Sequence, residues 1–460
     1  MIPLLRVTLA AGLILASSEA EAQPVPAPRP GIETVRIGPA LASDLKSAWT
    51  QYGPAGVLEA RAVVAGDACP EIVRDLRRSP MQPRAAKDRA FLPLCAAFLP
   101  AGTKQAALIF AHSAADRQTA DEAAKVDLVP LPVPVSDPQR IIVFGDTGCR
   151  IKGTALQDCS DPDKWPFPRI AAEAAKLKPD LVIHVGDYLY RENACPAGFK
   201  GCTGTPFGDN WPTWDADFFA PARPLLAAAP WVIVRGNHED CSRAGPGFIR
   251  LLGPAAFDPK AACAEHLPPY AIPFAALNLV VGDNADAPET SVVDASVPVY
   301  RAEVASLAKE PAPTWWLLHR PVWGLISGPL DVPVGGNKTL IAAIGTAGIP
   351  APVELMLSGH IHTFEAINYD PENHVPPQLV AGFGGDMLDE TPTNLRGAIF
   401  QGSSGVRVQD GLSVGGFGFV LMTHTDGGWR LDVYDTRGRI ERVCQFAKGR
   451  LACPAATAKR

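Results

Sequence analysis

Five apolar runs in the middle of the chain each stop at a residue able to hold a metal ion. IIVF leads to Asp146, LVIHV to Asp187, WVIVR to Asn237 and His238, WWLL to His319, and VELMLS to His360 and His362. Such continuously apolar runs are strands covered on both faces. The first three are separated by Ala-rich stretches of helical character, FPRIAAEAAKLKPD and ADFFAPARPLLAAAP. Strand and helix in alternation predict an α/β chain with a parallel sheet, and such sheets collect function at the carboxyl ends of their strands. One acidic turn after a strand says little. Five in succession, all bearing Asp, Asn or His, define a candidate metal site.

Alternate residues of an extended segment point to opposite sides. At a strand end that enters a turn, both imidazoles of GHIH can still face one cluster. The turn GDTG raises a question of its own. In a large class of two-metal phosphoesterases the first strand ends in Asp-x-His, and here the second ligand position is Gly148, which holds nothing.

The ordered set GDTG, GDYLY, GNHE, LLHRP and GHIH resembles the calcineurin-like metallophosphoesterase superfamily, and within it the purple acid phosphatases. The resemblance spans about residues 138–440. It implies a four-layer αββα sandwich, preceded by a small β-rich N-terminal domain, and two metal ions. One ion would be held by Asp146, Asp187, Tyr190 and His362; the other by Asp187, Asn237, His319 and His360. Asp187 would bridge them, and His238 would face the phosphate as proton donor. In this light Gly148 is one half of an exchange: a histidine is given up on the first strand end and a phenol gained at Tyr190. A phenolate (normal pKa ~10) suits a strongly Lewis-acidic ion such as Fe(III), and the mixed N/O set suits Zn, Mn or Fe(II). Two such ions ~3.5–4 Å apart clamp a phosphoryl group and generate a metal-bound hydroxide for in-line attack. The expected activity is hydrolysis of small phosphomonoesters. The alternatives are a phosphodiesterase or nucleotide hydrolase on the same metals, or a secreted binding protein with a vestigial site.

Several residues keep two readings. Plant purple acid phosphatases carry further histidines after the solitary one, and the loop RPVWGLISGPLDVPVGGNKT has none. Arg320 or Lys338 could contact substrate there or serve the surface. Glu239 either orients the His238 imidazole or is solvated, and GFGGDMLDE either lines the pocket or is a tight loop. His184 reads as a core or supporting residue. His112, His266, His374 and His424 have no motif context and read as surface, and GSSG lacks the G-x-S-x-G spacing of a nucleophile elbow.

The N-terminus adds an address. Arg6, an apolar core over residues 7–18 and Ala20-Glu21-Ala22 read as a signal peptide over 1–22, and that core falls short of the ~20 residues that span a bilayer. Periplasmic or secreted export follows, with no membrane anchor after cleavage. The ten cysteines then read as disulfides, most simply as neighbouring couples: Cys69/Cys95, Cys149/Cys159, Cys195/Cys202, Cys241/Cys263 and Cys444/Cys453. Residues 23–136 form a Pro-rich leader and the β-rich domain, ending in the extended linker VPLPVPVSDPQR. Residues 137–446 form the catalytic domain, and 447–460 a tail. A net charge of −6 gives no reason to expect nucleic acid as a partner. The oligomeric state is left open.

Overall fold

The strand Arg140–Phe144 shows how the layers are made. Its side chains alternate with the two-residue period of a strand. Ile141 and Val143 enter one core and Ile142 and Phe144 another, and all four are fully buried. The computed structural model describes residues 42–111, 126–400 and 405–454. The expected signal segment, the Pro-rich leader, His112, residues 402–404 of GSSG and residues 455–460 of the tail lie outside the described residues.

Strands Arg140–Phe144, Leu181–His184 and Trp231–Ile233 pair in parallel, side by side. Strands Asn278–Val281, Thr314–Leu317, Val353–Ser358 and Gln378–Ala381 do the same in a second sheet. Between the sheets, Ile141, Val143, Ile183 and Val232 meet Leu279, Leu317, Leu355 and Leu357. On the outer face of the first sheet, Ile142, Phe144 and Val182 pack with Ile170 and Ala174 of helix Phe167–Lys176 and Leu225 of helix Ala220–Leu226. Outside the second, Val280, Trp316 and Met356 pack with Tyr300 and Val304 of helix Val297–Ser306 and with Leu340 and Ile341 of helix Lys338–Ile344. Four layers result, αββα. Each such side chain contributes about 1.5–3 kcal/mol on burial, so the three cores fix the strand ends against one another.

The N-terminal region is β-rich, as expected, but its attachment differs from the sequence reading. Leu45–Tyr52 joins Trp231–Ile233 in parallel, and Leu58–Val64, Leu94–Leu99 and Gln82–Ala85 extend the same sheet to eleven strands. Only Arg77–Pro80, Glu71–Arg74, Ala106–Ala111 and Val126–Leu131 form a sheet of their own. The linker VPLPVPV also begins as structure. Its first residues belong to the edge strand Val126–Leu131, where Pro130 costs no central ladder bond. Beyond it, the Tyr52 hydroxyl accepts from the Val135 N–H at 2.8 Å and donates to its carbonyl at 3.2 Å. Its prolines read as an extended linker; the hydrogen bonds tie it to the sandwich.

The C-terminal meander forms as read: Gly418–Thr425 and Gly428–Asp435 are antiparallel, and the first lies beside Arg140–Phe144. All five cysteine couples close as disulfides. Three of them, Cys149–Cys159, Cys195–Cys202 and Cys241–Cys263, follow ligand-bearing turns. Closing short loops of this kind contributes about 2–3 kcal/mol each in the chain-entropy account. No helix among the described residues is long and apolar enough to cross a membrane.

Candidate metal centre

The parallel strands of both sheets end at one place, and the five motifs meet there. Tyr190 Oη lies 3.0 Å from Asp146 Oδ1, 2.9 Å from Asp187 Oδ2 and 3.1 Å from His362 Nε2. His319 Nε2 lies 3.1 Å from the same Asp187 Oδ2 and 3.0 Å from Asn237 Oδ1. Donor atoms of Asp187, His319 and His360 fall within 4.8 Å of one another. The geometry thus has two donor groups with Asp187 common to both. His238 stands at their side, its ring 3.9 Å from that of Tyr190 and its Nε2 3.9 Å from Asp187 Oδ2.

The backbone at these turns is contorted. Asp146, Asp187 and His360 all have left-handed φ, at 57°, 59° and 68°. Non-glycine residues adopt this region rarely and at a cost of about 1–3 kcal/mol. The interlocking turns offset that cost: the Asp146 N–H donates to the Gly186 carbonyl at 2.9 Å, and the His360 N–H donates to Asp146 Oδ2 at 2.9 Å. Gly148 has a steric reason as well. A Cβ there would lie 2.8 Å from the Tyr190 ring, the Tyr190 nitrogen and the Tyr188 carbonyl. No larger residue fits beside Tyr190, so the glycine and the phenol come as a pair.

The imidazoles are aimed by their far nitrogens. His319 Nδ1 is 2.8 Å from the Val185 carbonyl, and His362 Nδ1 is 2.5 Å from that of Met387. Each carbonyl takes a ring N–H, which leaves the Nε2 lone pair facing the cluster. His360 is held the other way round. Its Nε2 is 3.0 Å from Glu289 Oε1, so Nδ1 is the nitrogen left for the cluster. Burial alone would raise Glu289, but its hydrogen bond and charge contact with His360, together with Arg320, bring it down to about 2.

The donor set asks for cations. Burial pushes the Tyr190 hydroxyl far above its usual value, and Asp146, Asp187 and Asp386 push it further. Burial would lower both imidazoles, yet Asp187 lifts His319 to about 9, and Asp386 and Asp146 lift His362 to about 10. Buried carboxylates demand positive charge, and protons on histidine supply it when no ion does. Hard oxygens, a phenol and pre-aimed imidazoles fit a metal pair.

Several supporting residues carried no sequence signal. Glu192 Oε1 sits 2.7 Å from His238 Nδ1, an ion-pair contact out of line with the ring N–H. Glu239 does neither of the things proposed for it. Fully buried, it accepts from the N–H groups of Tyr188, Leu189 and Gly236 at 2.9, 3.1 and 3.1 Å, tying the GDYLY turn to GNHE. GFGGDMLDE serves the site: Asp389 Oδ2 accepts from the His362 N–H at 2.8 Å, and Asp386 pairs with Arg150. The Arg150 guanidinium lies 5.0 Å from the Tyr190 ring centroid. His184 is a supporting residue. It contacts Thr147 Oγ1 at 3.0 Å and accepts from the Gly186 N–H at 3.2 Å. Arg320 is engaged with Glu289, whereas Lys338 lines the cavity over the site. His374 and His424 are exposed, and His266 is half-buried against Glu303.

Residues 139–364 match the family model of the calcineurin-like phosphoesterases. The chain carries a calcineurin-like phosphoesterase domain. Its chemistry is that of a metal-dependent phosphoester hydrolase, and the likeness implies a dinuclear metal site. By fold, the phosphoesterase is similar to the purple acid phosphatase PPD1 from yellow lupin (Lupinus luteus) seeds. The TM-score is 0.55 at 15% identity, over 90% of this chain and 77% of that one. It is also similar to PhoD, with a TM-score of 0.52 at 12% identity over 92% of this chain and 94% of that one. At such identities the likeness is one of fold. No curated protein matches the chain by sequence.

Proposed function

We propose that the phosphoesterase is an exported, dinuclear-metal phosphatase that hydrolyses small phosphomonoesters. The observation that carries this reading is the shared Asp187 Oδ2, 2.9 Å from Tyr190 Oη and 3.1 Å from His319 Nε2. One carboxylate oxygen at the meeting point of two donor groups is what a bridging ligand requires. Asp146, Asp187, Tyr190 and His362 would hold Fe(III); Asp187, Asn237, His319 and His360 would hold Zn, Mn or Fe(II). When bound, the metal pair supplies Lewis acidity that neutralises phosphoryl oxygens and makes water a nucleophile near neutral pH.

The chain's own residues do the rest. The His238 N–H of the backbone donates to Asp187 Oδ1 at 2.8 Å and fixes the residue at the centre. With Nδ1 against Glu192 and the residue at the cavity wall, Nε2 would deliver the proton that the leaving alkoxide needs. Asn237 and His238 lie at the cavity wall with Arg150. Arg150 adds positive charge beside the Tyr190 ring. Export is supported by the five closed disulfides and the absence of free cysteine among the described residues.

The test is hydrolysis of p-nitrophenyl phosphate against its bis-ester by wild type and Asp187→Asn. The monoester is expected to be preferred and the variant inactive. Preference for the bis-ester would make the enzyme a phosphodiesterase, and an active variant would remove the metal centre from the chemistry.

A further inference from the structure

The cavity over the metal site holds about 570 Å³ and has two unlike walls. One is the donor wall, with Asp187, Asn237, His238, His360 and His362. The other is made by a hairpin, Leu325–Ser327 paired with Pro333–Gly335, and by the residues at its root. Ile326 and Val334 are cross-strand partners, so their side chains share one face. Both line the cavity, and both are left partly open, at 37% and 42% exposure. Pro321, Gly324, Gly335 and Ile361 complete this wall. Two glycines keep it flat. A Cβ on Gly324 would lie 2.6 Å from Ile361 Cδ1 and from Pro321 Cγ, and one on Gly335 would lie 2.0 Å from the Gly324 carbonyl oxygen.

The charged groups around the cavity each have a protein partner, while the hairpin wall carries none of them. Arg150 is on Asp386, Glu289 on His360 and Arg320, and Asp389 on the His362 N–H. Lys338 Nζ donates to the Thr290 carbonyl at 3.0 Å. The hairpin is held in place: the Leu325 N–H donates to Glu365 Oε2 at 3.1 Å and the Ser327 N–H to the Glu390 carbonyl at 2.9 Å. Apolar surface, fixed and half-wet, is what this side offers to whatever the phosphoryl group is attached to. A hydroxyl-rich leaving group seated against Ile326, Val334 and Ile361 would lose water to side chains that offer neither donor nor acceptor.

We infer that the ester cleaved here carries an apolar, ring-sized hydrocarbon leaving group, seated between Ile326, Val334 and Ile361, rather than a sugar or a nucleoside. This deepens the phosphatase reading and rests on it. Covering such a group with apolar wall is expected to strengthen binding by about tenfold or more.

Calorimetric binding of two non-hydrolysable probes to the metal-loaded enzyme tests the inference: methylphosphonate, which reports the metal site alone, and benzylphosphonate, which adds the ring. Benzylphosphonate is expected to bind at least about tenfold more tightly. The double variant Ile326→Ser, Val334→Ser is expected to bring the ratio of the two affinities towards one. Turnover should follow, with benzyl phosphate, an alkyl ester like glycerol phosphate, ahead of glycerol phosphate in kcat/KM. Equal binding of the two phosphonates, or a preference for glycerol phosphate or a nucleotide, overturns the apolar subsite and leaves the phosphatase reading standing. Failure of both probes to bind, with no hydrolysis of p-nitrophenyl phosphate, removes the phosphatase reading and the subsite together.

Discussion

The two donor groups of the candidate metal centre share Asp187 and little else. On the Tyr190 side every donor is closed in: Asp146 and Tyr190 have no exposure and His362 has 6%. Their partners, Met387, Asp386 and Asp389, come from one loop that packs beneath Asp146. On the other side, the His360 side chain is 23% exposed, and the Glu289 that holds it is 34% exposed. One half is built wholly into the sandwich; in the other, His319 and Asn237 are buried too, but His360 is propped from a surface loop. Two ions on one bridging carboxylate would therefore not be held equally. The enclosed ion should exchange slowly and the open one readily.

The largest effect is expected where the halves join. Asp187→Asn removes the bridge, and hydrolysis should fall by about 100- to 1000-fold or more; elemental analysis should show both ions depleted. Gly148→Ala strikes the enclosed half alone. Its new Cβ would meet the Tyr190 nitrogen and ring at 2.8 Å, an overpacking that costs about 1–3 kcal/mol. A lower Tm and loss of the enclosed ion with retention of the open one are the expected readings. Glu289→Gln loosens His360, and removal of such a support typically weakens metal affinity about 10- to 100-fold. Titration with a chelator should then strip the open ion first; simultaneous loss of both would erase the distinction between the halves.

Smaller effects lie further out. Glu192→Gln leaves every donor in place but removes the charge facing His238 Nδ1. A fall in kcat of about tenfold at unchanged metal content is expected. Glu303 is lifted to about 8 by burial and by Asp283 and Asp286. Burial and Asp389 lift Glu365 to about 8, against the pull of the Leu325 N–H. An acid whose pKa is higher folded than unfolded favours the fold fully below its unfolded value, about 4.5. That contribution is lost as pH rises through about 8. Tm should therefore decline between about pH 4.5 and about pH 8, and Glu303→Gln and Glu365→Gln should each flatten the decline.

Much of this cluster was legible because Asp, Asn and His at strand ends follow a local grammar. A glycine turn after an apolar run places Asp or His at the carboxyl edge, and five such turns in order specify a cluster. The short cysteine loops were legible for the same reason. What could not be read was set by distant contacts. Glu192 and Glu289 stand in ordinary loop sequence, and only the fold brings them 2.7 and 3.0 Å from His238 and His360. Glu239 sat beside His238 in sequence, yet its carboxylate turns inward to three backbone N–H groups. The N-terminal strands look self-sufficient in sequence. Their partner, Trp231–Ile233, lies far along the chain, so sheet continuity left no local trace.

The central claim is a pair of ions bridged by Asp187, one of them bound to the Tyr190 phenolate. Metal content and visible spectrum, measured together on the purified enzyme and on Tyr190→Phe, test it most directly. Two ions per chain, one of them iron, and a visible tyrosinate-to-Fe(III) band absent from the variant are the predicted result. A fully active enzyme holding a single ion would contradict the bridged pair, and a colourless one holding two would contradict the ferric tyrosinate.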